Sequence, residues 1–192
     1  AQGLQSLFPM DELSVMGIVE VLPKYRQLQA RIRQTAEAVV AARPDVLITI
    51  DSPDFCLRVA RAARALLPNL RTVHYVAPSV WAWRAGRARK MAKVIDHVLA
   101  ILPFEPPYMR AAGMSCDFVG HPIATEPVAG PAEAAEFRAA HGIEADAPLV
   151  LCLPGSRRGE VARLGPRFDE ALMRLRDRVP EMRVVIPTVS GV

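Results

Sequence analysis

Apolar residues recur at helical spacing over residues 25–42 (Leu28, Ile32, Ala36, Val39, Val40), until Pro44 halts the pattern ahead of an unbroken apolar run from Val46 to Ile50. The spacing predicts a helix and then a buried strand. Asp51-Ser52-Pro53-Asp54 follows, and residues 55–67 return to helical spacing before Pro68 and Asn69 turn the chain. The alternation continues with a strand at 71–76, a basic helix at 84–93, a strand at 97–102 and a short helix at 105–112. Gly113 follows in the position that a left-handed cap favours, and a strand at 116–119 runs into Gly120-His121-Pro122. Apolar strands alternating with amphipathic helices predict an α/β fold with a parallel sheet covered on both faces. Between Pro122 and Pro131 the composition shifts to Pro, Ala, Gly, Thr and Glu, which reads as a linker. Beyond it come a helix at 132–140, a strand at 148–153, a long helix at 160–178 and a strand at 182–187. The expected division is one domain with its linker over 1–127 and the start of a second over 128–192.

Composition narrows the class. The chain has 192 residues, 51% of them hydrophobic and 23% charged, which suits a globular chain holding one full core or one and a half. Lys and Arg number 24 against 20 Asp and Glu, for a net charge of +4, a modest excess compatible with phosphates or anionic lipid but diagnostic of neither. Cys56, Cys116 and Cys152 are odd in number, far apart and in apolar surroundings, so they read as buried thiols in a reducing, cytoplasmic setting. No apolar run approaches the roughly 18–20 residues that span a bilayer, so any membrane contact is expected to be peripheral. The chain opens at Ala1 and stops at Val192 just after a strand, as a fragment would.

Ligands of an open parallel sheet bind outside the carboxyl ends of its strands, where loops and helix N-termini present unpaired N–H groups. Two loops answer to that description. In Asp51-Ser52-Pro53-Asp54-Phe55, a carboxylate at the strand's end can act as a general base toward a hydroxyl if partial burial raises its pKa. The plainer alternative is that Asp54 or Ser52 caps the next helix, which leaves Asp51 as the better catalytic candidate. In Leu153-Pro154-Gly155-Ser156-Arg157-Arg158-Gly159-Glu160, Gly155 permits close approach of a phosphate, Ser156 can donate to it or cap the helix, and Arg157 can grip it bidentately. The segment is neither a Walker A loop nor a G-x-G-x-x-G turn.

Pro78-Ser79-Val80-Trp81-Ala82-Trp83-Arg84 concentrates both tryptophans beside an arginine. They can stack on a sugar or base, although one of them is expected to fill the core; Ser79 and Arg84 remain for polar contacts. His121, between Gly120 and Pro122, either enters an interdomain cleft or bonds to backbone. No zinc, Ser-His-Asp or Cys-His pattern stands out. The apolar run from Val15 to Leu22 reads as core, or, with Lys24, Arg26, Arg31 and Arg33 after it, as a contact with an anionic bilayer.

Six segments taken together resemble the lipid-A-disaccharide synthases: residues 13–22 (Leu-Ser-Val-Met-Gly-Ile-Val-Glu-Val-Leu), 50–55 (Ile-Asp-Ser-Pro-Asp-Phe), 74–84 (His-Tyr-Val-Ala-Pro-Ser-Val-Trp-Ala-Trp-Arg), 102–105 (Leu-Pro-Phe-Glu), 119–122 (Val-Gly-His-Pro) and 153–157 (Leu-Pro-Gly-Ser-Arg). The resemblance covers essentially the whole chain, while a full member is roughly twice as long. It implies that the family's first strand, with its Gly-Glu-Ala/Thr-Ser-Gly-Asp loop, and most of the UDP-binding domain lie outside this sequence, so that the isolated piece is expected to be inactive.

The resemblance further implies a GT-B architecture, two Rossmann-like domains facing each other across a cleft, and an inverting transfer of 2,3-diacylglucosamine from its UDP derivative to 2,3-diacylglucosamine 1-phosphate. The products are a β-1,6 disaccharide 1-phosphate and UDP. No metal or organic cofactor is implied. Asp51 becomes the base and Arg157 the stabiliser of the departing phosphate; Asp54, Ser79, Trp81, Trp83, Arg84, His121, Gly155 and Ser156 become substrate-binding candidates. Acylated substrates place the enzyme on the cytoplasmic face of the inner membrane, with Met16, Ile18, Val19, Val21 and Leu22 as interfacial contacts and the basic helix adding attraction. The competing readings are another UDP-sugar enzyme of the same architecture, such as an epimerase, and a non-catalytic nucleotide-binding module. Nucleic-acid binding is disfavoured by the modest charge and the lack of an interleaved aromatic and basic platform.

Overall fold

The computed structural model describes residues 5–9, 12–13, 18–81 and 86–188, with backbone only over 18–24. The chain forms two compact units, Ala1–Glu126 and Pro127–Val192. In the first, helix α1 (Ile18–Ala42) leads to strand β1 (Val46–Ile50). The alternation then runs α2 (Pro53–Leu66), β2 (Arg71–Tyr75), α3 (Gly86–Met91), β3 (His97–Ala100), α4 (Pro106–Ala111) and β4 (Ser115–Phe118). The strands are parallel and stand in the order β1-β2-β3-β4. Gly113 ends the turn after α4 with φ 97°, a conformation open to glycine and costly for other residues.

That strand order decides which face is covered. Stepping always to the next neighbour, with crossovers of one hand, keeps every connecting helix on the same side. Ala60 of α2, Ala88 and Met91 of α3 and Met109 of α4 accordingly share one buried cluster with Val98, Ala100 and Cys116 of β3 and β4. Register adds Thr49 and His74 to the same inward row. The opposite face carries Ile48 and Ile50, exposed by 57% and 64%, while α1 packs along α2. Covering of both faces, expected from the pattern, is therefore not met among the described residues: the strand order never reverses, so no crossover reaches the second side.

The second unit contains α5 (Pro131–Ala140), β5 (Leu149–Leu151), α6 (Arg158–Arg176) and β6 (Arg183–Val185), with β5 and β6 paired in parallel. Ala147, Cys152, Pro154 and Met182 are the buried apolar residues among those described in it. Arg183 bridges to Glu144 at 2.8 Å, and Arg138 donates to the carbonyls of Glu144 and Ala147, which ties α5 to the start of β5. No helix among the described residues is long and apolar enough to cross a membrane.

Candidate active site

The carboxyl ends of β1 and β2 carry an unusual backbone. Asp51 and Ser52 adopt φ 49° and 40°, and Val76 adopts φ 76°. None is glycine, and for a β-branched valine this region is a genuine outlier. The strain is held by the sheet itself, because Asp51 N–H donates to the Tyr75 carbonyl (3.0 Å) and Val76 N–H to that of Leu99 (3.1 Å). Residues forced into such regions cost about 1–3 kcal/mol each and gather where function demands a particular aim. Asp51 is exposed, so the partial burial expected of a base is not supplied by the described residues.

Two titratable groups, His74 and the half-buried Cys56, feel the charge of Asp51. His74 is fully buried; its Nδ1 lies 2.7 Å from Thr49 Oγ1, which itself donates to the Val73 carbonyl. With that hydroxyl proton given to the Val73 carbonyl, Nδ1–H donates to Thr49 and Nε2 is the unprotonated nitrogen; among the described residues no group meets it. Burial pushes the His74 pKa down to about 4, against a smaller upward pull from Asp51. Burial likewise pushes the Cys56 thiol up to about 11; its contact with the Ile50 carbonyl, 3.9 Å from Sγ, opposes the rise and Asp51 adds to it. Both groups stay neutral at pH 7.

Neither proposed cap is made. Ser52 is the N-cap residue of α2 without a side-chain hydrogen bond, and Asp54 stands inside the first turn. Asp54 instead meets Arg87 of the basic helix at 2.9 Å, an exposed pair worth under about 1 kcal/mol. After β2, Ser79 is exposed and Val80 buried. Trp81, 42% exposed, does not fill the core; its ring meets Phe104 edge-on at 5.1 Å. Trp83 and Arg84 lie outside the described residues. After β3, Glu105 is 2% exposed and its carboxylate accepts from Leu102 N–H at 2.9 Å, so the glutamate of the Leu-Pro-Phe-Glu motif closes that turn. After β4, His121 Nδ1 accepts from Ile123 N–H at 3.1 Å and caps a short 3-10 helix, Pro122–Thr125. The neutral ring then keeps its proton on Nε2. β1 and β4 are opposite edges of the sheet, roughly 14 Å apart at the usual strand spacing, so Asp51 and His121 do not act on one atom.

In the second unit, Gly155 has φ 122°, and a Cβ there would lie 2.7 Å from Glu160 Oε2 and 2.8 Å from Glu160 Cβ. Only glycine fits. Arg157 is the N-cap residue of α6, so Ser156 does not cap the helix. Arg157 Nη1 donates to Glu160 Oε1 at 2.7 Å. That hydrogen bond holds the Glu160 carboxyl below its ordinary value; burial opposes it, and the charge of Arg157 and the N–H groups of Ser156 and Arg157 add to the lowering. Glu160 and Arg87 are the contributors that sequence reasoning missed. Glu160 had a local signal, an acid in the third position of the helix; Arg87 had none.

Of the apolar run proposed for membrane contact, Met16 lies outside the described residues. Ile18, Val19, Val21 and Leu22 fall in α1, with side chains that are not described. Arg31, one of the basic residues offered for lipid, instead grips Glu12 through two bonds of 2.6 and 3.0 Å and lies over the Phe8 ring. Among the described residues, no three His, Cys, Asp or Glu side chains gather to hold a metal.

The family model for lipid-A-disaccharide synthetase matches residues 1–191. This chain belongs to that family. Lipid-A-disaccharide synthases from Ruegeria pomeroyi and Rhodospirillum centenum are 65% and 51% identical to it, each over the whole chain and 47% of the relative. The chain thus spans about half the length of the curated relatives it matches. The fold is similar to that of S. aureus MnaA in complex with UDP, with a TM-score of 0.60 and 14% identity over 87% of this chain and 47% of that one. UDP-GlcNAc 2-epimerase from Neisseria meningitidis bound to UDP-GlcNAc gives 0.62 and 12%, over 92% and 51%. At such identities the likeness concerns the fold alone, a parallel α/β architecture of the GT-B type.

Proposed function

We propose that this family member supplies part of the catalytic apparatus of an inverting glycosyltransferase, which moves 2,3-diacylglucosamine from UDP-2,3-diacylglucosamine to 2,3-diacylglucosamine 1-phosphate. The observation that supports the reading, beside family membership, is the strained acid loop at the end of β1, which leaves Asp51 exposed at the sheet's carboxyl edge. Asp51 takes the proton from the acceptor hydroxyl as its oxygen bonds to the anomeric carbon. The bond from that carbon to the phosphate oxygen breaks on the opposite side, inverting the centre to the β linkage. The departing UDP carries the electron pair, and its charge is met by Arg157 and the N-terminus of α6. Asp54, Ser79, Trp81, Trp83, Arg84 and His121 belong to substrate binding in this scheme, and Gly155 and Ser156 to phosphate approach. Because both substrates are acylated, the scheme places the reaction at the cytoplasmic face of the inner membrane, with the run from Met16 to Leu22 as the contact.

The test is product analysis with the full-length protein and the two acylated substrates. The expected products are disaccharide 1-phosphate and UDP in equal amounts; epimerised UDP-sugar, or bound UDP without turnover, would contradict the reading. Ile18→Glu with Leu22→Glu is expected to weaken binding to anionic vesicles, and undiminished binding would remove the membrane contact.

A further inference from the structure

The pairing of Arg157 with Glu160 goes beyond the binding role assigned to the loop. Arg157 is exposed at the mouth of α6, and a free arginine there would sample many rotamers. Glu160, one turn further on, fixes it: Oε1 takes Nη1 at 2.7 Å. Glu160 is itself held by backbone hydrogen bonds from Ser156 and Arg157, and it fills the space beside Gly155 where a Cβ would lie 2.8 Å from its Cβ and 2.7 Å from its Oε2. With Nη1 engaged, the guanidinium edge formed by Nε and Nη2 is the one that can grip two oxygens of a phosphate in parallel.

We propose that Glu160 is a positioning residue for Arg157: it presents the Nε and Nη2 edge of the guanidinium to the diphosphate of the sugar nucleotide. The inference rests on the reading of this loop as the phosphate site. It assigns Glu160 no contact with substrate. It also gives Gly155 a second reason to be glycine, since the glycine backbone is the wall against which Glu160 is held.

Glu160 also stands where the glutamate of a capping box stands, three residues after the N-cap, so a purely structural role must be separated from positioning. Glu160→Gln does so, because glutamine keeps the length and the capping hydrogen bonds but gives up the charge that holds Arg157. In the full-length protein, Glu160→Gln is expected to melt near wild type, to bind UDP about tenfold more weakly and to lower kcat by a similar factor. Introduced into Arg157→Ala, the same change is expected to leave UDP affinity where Arg157→Ala alone put it. Wild-type affinity and kcat in Glu160→Gln, with Arg157→Ala still impaired, would overturn the positioning role and leave the loop's function standing. A further loss in the double variant would overturn it as well, since Glu160 would then act without Arg157. If Arg157→Ala itself bound UDP like wild type, the phosphate-site reading would fail, and the inference with it.

Discussion

The loops after β1 and β5 make the same turn from strand into helix and solve it with opposite chemistry. After β1 the chain enters the left-handed region at Asp51 and Ser52, where no glycine relieves it, and presents two exposed acids. After β5, Gly155 takes the left-handed conformation and the exposed group is an arginine clamped by a glutamate. The first loop therefore holds an exposed carboxylate on strained backbone, while the second uses glycine where Glu160 packs against the turn and holds Arg157. In the transfer proposed above, the first loop supplies the proton acceptor for the nucleophile and the second the charge acceptor for the leaving group. The interiors differ too. The buried polar residues Thr49, Thr72, His74 and Glu105 all belong to the first unit.

The largest expected effect lies in the acid loop. Asp51→Asn in the full-length protein should lower kcat by about 10²–10⁴-fold with the melting temperature little changed, since only the base is lost. Steady-state kinetics on acylated substrates checks this, and a change below threefold would remove Asp51 from the chemistry.

Acid should next distinguish the two units. His74 is neutral in the fold with its pKa near 4, against 6.5 for a free imidazole. As pH falls from 6.5 toward 4 the unfolded chain takes up a proton that the fold refuses. The stability that this group contributes above pH 6.5 is thus lost in that window, by about 3 kcal/mol. Urea titrations at pH 7 and pH 4 are expected to show that loss, and His74→Asn to show a shallower one. Equal acid sensitivity in the variant would mean that the buried histidine is not its source.

The smallest effect tests the strain. Ser52 makes no side-chain cap bond, so Ser52→Gly relieves a left-handed residue at no cost in contacts. It should stabilise by about 1 kcal/mol, and thermal melting would read a rise of a few degrees. A fall in melting temperature would show that the loop is not strained at this position.

Much of this was legible in the residues. The apolar run 46–50 and the period of residues 55–67 located β1 and α2 to within two residues, because short buried strands and amphipathic helices imprint themselves locally. Both strand-to-helix loops followed from the same reasoning. The positive φ at Asp51, Ser52 and Val76 left no such imprint, since none is glycine and the bonds that accompany it, from Asp51 to Tyr75 and from Val76 to Leu99, reach across to other strands. Asp54 and Arg87 are 33 residues apart, and charge pairs at that separation carry no periodicity. That the described residues cover only one sheet face was hidden because alternation of strand and helix says nothing of the order in which strands stand side by side.

The division of labour between the loops is tested most directly by UDP affinity, measured by calorimetry on the full-length protein and its Asp51→Asn and Arg157→Ala variants. The account predicts that Asp51→Asn binds UDP like wild type while forming almost no disaccharide, and that Arg157→Ala binds it at least tenfold more weakly. Weakened UDP binding in Asp51→Asn together with wild-type binding in Arg157→Ala would contradict it.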